Sequence, residues 1–239
     1  MRQAWSRLSQ GVRWRLGMRV AARELEAGED QSMSEFYRGR ITDCMFLSDP
    51  HHYEHPRARW VLERVRGGRL LEVGSGNGGM TRLLAPKVDH LVALDVSEPS
   101  LACIIALGLG NVVTVNALVE QYEPQMRFDW IVMSEVLEHL RKPQRVVAGC
   151  LKWLLPGGSM LMTTPNGHWE SDEHLHEFNL RSLAGVVAQS GAEAISVTYL
   201  RDAQERRRWL AAELTMAERP PAADEFNNRP KVGRKRRRR

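Results

Sequence analysis

The stretch RLLEVGSGNGG, from Arg69 to Gly79, constrains the fold more than any other part of the chain. An apolar run ending in Gly74-x-Gly76-x-x-Gly79 fits a strand that turns sharply into a helix. Glycine reaches backbone conformations that a Cβ forbids, and it lets a ligand approach the main chain closely. In a sheet built from such units the ligand lies at the carboxyl ends of the strands, so the sites of chemistry are sought there.

The rest of the chain repeats the strand-then-helix alternation. HLVALDV is followed by a helix across Leu101 to Leu107, and NVVTVNA by a short linker. FDWIVMSE leads into VLEHLRKPQRVVAGCLKWLL, GGSMLMTTP precedes a helix over LRSLAGVVAQSG, and AEAISVTYL closes the series. Short β-rich runs alternating with helices imply an α/β fold: a doubly wound, mainly parallel, Rossmann-like sheet covered on both faces. At 239 residues one such domain is expected, over residues 56–200 with its first helix starting near Pro56. Residues 1–55 form an extension before it. Within that extension Trp5, Leu8, Val12, Leu16 and Val20 recur at helical spacing among six arginines without an acid up to Arg23. This basic amphipathic helix is read as packing on its own domain, ahead of an anionic membrane surface or a partner. Residues 201–239 are read as a charged helical segment to Glu218 and then a disordered basic tail, which leaves a sheet of six strands, or a seventh too degraded to recognise.

The formal charge of +5 includes seven positive charges within residues 231–239, so the rest of the chain carries a net −2. Basicity therefore belongs to the tail rather than the core, and the tail is an electrostatic footprint for nucleic acid or an anionic surface. Three widely spaced cysteines, Cys44, Cys103 and Cys150, fit neither a disulfide framework nor a thiolate zinc site, and point to a reducing cytoplasm. No apolar run reaches the ~18 residues of a transmembrane helix.

The glycine pattern, with Asp95 ending the next strand, also suits a dinucleotide. Glu72 argues against one, because a carboxylate two residues before the first glycine repels a pyrophosphate and welcomes a cation. S-adenosylmethionine is such a cation: a sulfonium and an ammonium beside an adenosine.

With these residues in place, the chain resembles the class I S-adenosylmethionine-dependent methyltransferases, in the group that includes quinone, sugar and natural-product enzymes. LLEVGSGNGG matches the first motif and VALDVS the second. VNALVEQYEP stands where Gly-Asp-Ala is frequent, and the later segments follow in order to Leu200. The resemblance implies S-adenosylmethionine as cofactor, held by Glu72, Gly74, Ser75, Gly76, Asp95, Val96, Asn116, Ala117 and Ser134. It implies a small-molecule acceptor methylated at oxygen or nitrogen. Alternatives are RNA ribose 2′-O-methylation, a non-catalytic cofactor-binding subunit and, more distantly, a nicotinamide-binding oxidoreductase.

Candidate chemistry lies in two strand-end clusters. Glu135, Glu138 and His139 follow the fourth strand, and His168, Asp172, Glu173, His174 and His176 follow the fifth. Three readings stay open. His139 or His174 acts as a general base; Glu135, Glu138 and His139 with His174 or His176 bind a divalent ion, as a similar Glu-x-x-Glu-His does in small-RNA 2′-O-methyltransferases; or Glu138 and His139 are structural, pairing with loop backbone or Arg141. The working assignment makes His139, His174 and Glu135 catalytic, with no metal. His51, His52 and His55 read as surface loop or lid and not as a zinc site. Trp130 and Trp153 read as core, and Trp169 as a substrate contact.

Overall fold

A computed structural model describes residues 36–171 and 173–216. The amphipathic segment over residues 1–23, the basic tail and Asp172 lie outside the described residues.

Helix α1 spans His55–Leu62 with a proline in its first turn, where the missing N–H costs nothing. Strand β1 (Arg69–Val73) runs through the glycine turn into a short α2 (Thr81–Leu84). Then follow β2 (His90–Asp95), α3 (Glu98–Ala106), β3 (Val112–Asn116), β4 (Phe128–Ser134), α4 (Pro143–Leu151), β5 (Leu154–Pro165), α5 (Leu180–Ser190), β6 (Ala192–Arg201) and β7 (Arg207–Met216). Caps fix the starts of two helices. The Ser97 side chain accepts from the Ser100 amide at α3, and Asn179 with Ser182 forms a reciprocal capping box at α5.

The seven strands form one sheet in the order β3-β2-β1-β4-β5-β7-β6. Strands β3 to β5 are parallel, while β7 is antiparallel to both β5 and β6. One face packs Leu71, Val73, Ile131 and Met133 against Val147, Leu151, Leu183 and Val187 of α4 and α5. The other packs Leu70, Leu91, Ala93 and Val132 against α1, α2 and α3 through Trp60, Val61, Leu84 and Ile104. The order reverses between β1 and β4, which opens a crevice at their carboxyl ends.

The end of the chain corrects the sequence reading. Arg207–Met216, expected to be helical, is a regular strand inserted between β5 and β6, so the sheet has seven strands and the domain continues past residue 200. Its Ala, Leu, Glu and Arg residues favour helix in isolation. Both faces are buried, with Trp209 and Ala211 toward one core and Leu210, Ala212 and Leu214 toward the other, so the period-two signal of a half-exposed strand is missing. The β6–β7 turn is organised by Asp202, whose carboxylate accepts from the Gln204 and Arg206 amides and from the Arg206 and Arg208 guanidiniums at 2.7–3.1 Å. Among the described residues no helix is long and apolar enough to cross a membrane.

Candidate active site

The carboxyl ends of β1, β2, β4 and β5, with the segment before α1, enclose a cavity of about 380 Å³. One half is shaped for a nucleoside. Gly74 and Gly76, both at positive φ, form its floor with Asp95 and Val96, and Ala117, Leu118 and Val119 give it an apolar side. A Cβ on Gly74 would stand 2.5 Å from Val136 Cγ2, so the turn tolerates no side chain there. The Asp95 carboxylate accepts from the Gly76 and Ser97 amides at 2.8 Å each, which fixes it at the rim. Burial raises its pKa, and these amide bonds oppose the rise.

Four of the nine expected cofactor residues lie off the lining. Glu72 is buried beneath the turn, where its carboxylate accepts from Thr81 Oγ1 at 2.7 Å. Burial pushes its pKa up to about 8, so it stands protonated at neutral pH and exerts no charge on a ligand. Ser75 is buried with its hydroxyl unpartnered among the described residues. Asn116 is exposed, and its amide donates to the Asp95 carbonyl at 3.2 Å.

Ser134 belongs to a relay in the other half of the cavity. Arg57 Nη1 donates to Ser134 Oγ at 2.9 Å, Ser134 Oγ meets Thr163 Oγ1 at 2.7 Å, and Thr163 Oγ1 donates to Glu135 Oε1 at 3.1 Å. Arg57 also grips Glu54 through Nε at 3.0 Å and Nη2 at 2.6 Å. Glu135 has φ 57°, a left-handed conformation unusual for a side-chain-bearing residue, and it faces the cavity. Burial pushes the Glu135 and Glu138 carboxyls upward, with Arg57 pulling Glu135 back. Glu138 accepts from Thr164 Oγ1 at 2.9 Å, and its carbonyl accepts from the amides of Leu175 and His176 at 2.7 and 3.1 Å. The loop after β5 is thereby fastened to the loop after β4.

His139 Nδ1 lies 2.9 Å from the carbonyl oxygen of Glu173. A carbonyl has no proton to give, so Nδ1 carries the hydrogen and Nε2 keeps its lone pair. Burial lowers the His139 pKa, which keeps the ring neutral at pH 7. The His174 ring sits 5.1 Å from it, centroid to centroid. Glu138, His139 and His174 offer ligand atoms that all lie within 4.8 Å of one another. His176 turns to the Arg141 carbonyl and His168 pairs with Glu177. Trp169 lines the cavity, whereas Trp130 and Trp153 pack on the two cores. His55 Nδ1 meets the Leu47 carbonyl at 2.8 Å, and none of the three histidines in residues 51–55 reaches the lining.

Sequence reasoning missed Tyr37, Thr42, Glu54 and Arg57, all of which line the cavity. Glu54 and Arg57 stand three apart at a helix start, which signals an ion pair. That the pair is buried under the sheet edge is tertiary information.

The parallel strands with an antiparallel β7 inserted between β5 and β6, and helices on both faces, make a Rossmann-like methyltransferase fold. Residues 48–212 match the model of the methyltransferase domain family, and the chain belongs to that family. Its curated relatives include the ubiquinone biosynthesis O-methyltransferases of Pseudomonas fluorescens, 33% identical over 127 residues, and of Xylella fastidiosa, 32% identical over 132; in each match 49% of this chain aligns with 54% of the relative. The chain thus spans about half the length of the curated relatives it matches. Among solved structures, the DhpI complex with S-adenosylhomocysteine (SAH) has a TM-score of 0.64 at 21% identity, covering 79% of this chain and 97% of that one. The N-methyltransferase NodS of Bradyrhizobium japonicum, also with SAH, has a TM-score of 0.60 at 20% identity, covering 84% and 99%.

Proposed function

We propose that this protein transfers a methyl group from S-adenosylmethionine to an oxygen or nitrogen of a small-molecule acceptor. The observation that carries the reading is the continuous cavity joining the Gly74–Asp95 half to the ring of His139, whose Nδ1 is held at the Glu173 carbonyl. The residues suit the donor. Asp95 offers a carboxylate to the ribose diol, Val96 with Ala117, Leu118 and Val119 an apolar side to adenine, and Arg57 a buried guanidinium to the methionine carboxylate. Bound there, the donor supplies a methyl group already activated by its positive sulfur.

The chain aligns the acceptor and removes its proton. Alignment in such a cavity is worth several kcal/mol, on the order of the entropy of bringing two molecules together. A hydroxyl acceptor needs a base near neutral pH, and His139 Nε2 takes that proton, while Nδ1–H on the Glu173 carbonyl holds the ring in place. Glu135 and Glu138 line the same space, where burial favours their uncharged acid forms. The free cysteines support a reducing, cytoplasmic setting.

A second reading has its own observation. The Glu138, His139 and His174 cluster is chemically suited to a divalent ion, and the residues of the basic tail add an RNA ribose as the acceptor in that case. Calorimetry with S-adenosylmethionine, SAH and NAD, followed by transfer of labelled methyl into small-molecule and RNA pools with and without EDTA, separates the readings. Uptake of NAD with no uptake of the methyl donor overturns both, and EDTA-sensitive labelling of RNA alone replaces the first by the second.

A further inference from the structure

Residues 37–44 form a strap along the cavity, and three sets of contacts hold it. At its far end, the Thr42 carbonyl accepts from the Asn77 amide and the Cys44 amide donates to Asn77 Oδ1, both at 2.9 Å. In the middle, the Arg40 carbonyl accepts from the Ser97 and Ser100 hydroxyls, and the Thr42 amide donates to Ser100 Oγ at 3.0 Å. At the near end, Tyr37 Oη donates to Glu173 Oε2 at 2.6 Å and lies 3.2 Å from His139 Nδ1. The first two sets rest on the turns after β1 and β2, and the third rests on the histidine cluster.

The glycine turn is shaped for this strap as much as for a ligand. A Cβ on Gly79 would stand 1.8 Å from the Cys44 carbonyl oxygen, and one on Gly76 would stand 2.9 Å from the Thr42 carbonyl oxygen. Two of the three fingerprint glycines therefore make room for backbone that delivers Tyr37. With Nδ1–H already on the Glu173 carbonyl, the phenol hydroxyl gives its own hydrogen to the Glu173 carboxylate and completes a ring of contacts around His139.

We propose that Tyr37 is a positioning residue for the acceptor half of the site: through Glu173 it holds the loop bearing His174 against His139. This rests on the reading that His139 and His174 serve the acceptor, and it assigns part of that site to the segment preceding the methyltransferase core. The ring of Tyr37 packs edge-on to His139 at 5.5 Å, so Tyr37→Phe keeps that packing and removes only the hydroxyl.

The test is amide exchange of the full chain, followed at Leu175 and His176, whose N–H groups donate to the Glu138 carbonyl. In Tyr37→Phe these amides exchange at least about tenfold faster, while the central strands keep their protection. Glu173→Ala gives the same acceleration, and the double variant adds nothing to it, because both changes cut one bond. Glu173→Gln keeps an oxygen for the phenol and restores slow exchange. Unchanged exchange in Tyr37→Phe, independent effects in the double variant, or failure of Glu173→Gln to restore protection overturns the proposal. Calorimetry with SAH on the same samples judges the function separately: wild-type protein that ignores SAH defeats the cofactor reading, and the exchange comparison without ligand still decides the role of Tyr37.

Discussion

Glu72 shows how a residue that stands out for its charge can act without one. A carboxylate beside the glycine turn favours a cation, yet the fold places this one under the turn as a hydrogen-bonded acid with a pKa of about 8. The folded protein holds a proton there that the unfolded chain releases above the usual value near 4.5. The stability this proton contributes is complete below about pH 4.5, falls as pH rises, and is gone above about pH 8, with a slope of up to about 1.4 kcal/mol per pH unit. Glu72→Gln keeps an acceptor for Thr81 and cannot ionise, so its melting temperature is expected to decline less between pH 5 and 8 than that of the wild type. Identical declines in parallel thermal melts would show that Glu72 does not titrate in this range. Glu135 makes the opposite trade. Its left-handed backbone and desolvated, half-buried carboxyl are costs kept for the cavity. Glu135→Gly is expected to raise stability by about 1 kcal/mol, or about 2–4 °C in melting temperature. The same change is expected to reduce methyl transfer, so a variant both less stable and fully active refutes this role for Glu135.

Among the elements, β7 is where sequence and structure part. Strands β1, β2 and β4 were legible because each apolar run ends in a turn and leads toward a helix, and they stand where RLLEVGS, HLVALDV and FDWIVMSE place them. For WLAAELTM no such cue exists. Its conformation comes from the two strands beside it, whose ladders supply hydrogen bonds that local propensity cannot. The one local hint is Asp202, four residues before Arg206, which closes a turn and makes two runs into a hairpin. Trp209 is the anchor of the inserted strand, fully buried beneath Tyr53 and Trp169. Trp209→Ala is expected to cost about 3–5 kcal/mol in chemical denaturation. Its indole N–H has no partner among the described residues, so Trp209→Phe, which removes that orphan donor and keeps a ring, is expected to cost much less. Equal losses for the two variants would mean that ring packing is not what Trp209 contributes.

At the scale of the whole molecule, motif order located both halves of the cavity but not their connections. Gly74, Gly76 and Asp95 were legible because turn chemistry and strand ends are local, and His139 and His174 because both lie at the same sheet edge. Arg57 and Tyr37 were not, since their roles depend on partners 77 and 102 residues away along the chain, Ser134 and His139. Charge divides the molecule in a similar way, with seven cations in residues 231–239 and a net −2 over all the rest. A small-molecule acceptor reaches the cavity without those cations, so a protein lacking residues 231–239 is expected to keep its melting temperature and to methylate small acceptors within about twofold of the full chain. An RNA acceptor gives a different result, because every phosphate that the shortened protein leaves unneutralised lowers the slope of log affinity against log salt by about 0.7 for single strands. Measuring affinity for a single-stranded RNA at several salt concentrations, beside small-molecule transfer, therefore discriminates the two. Loss of small-molecule transfer on removing the tail would place those charges in the catalytic cycle and count against the acceptor assigned here.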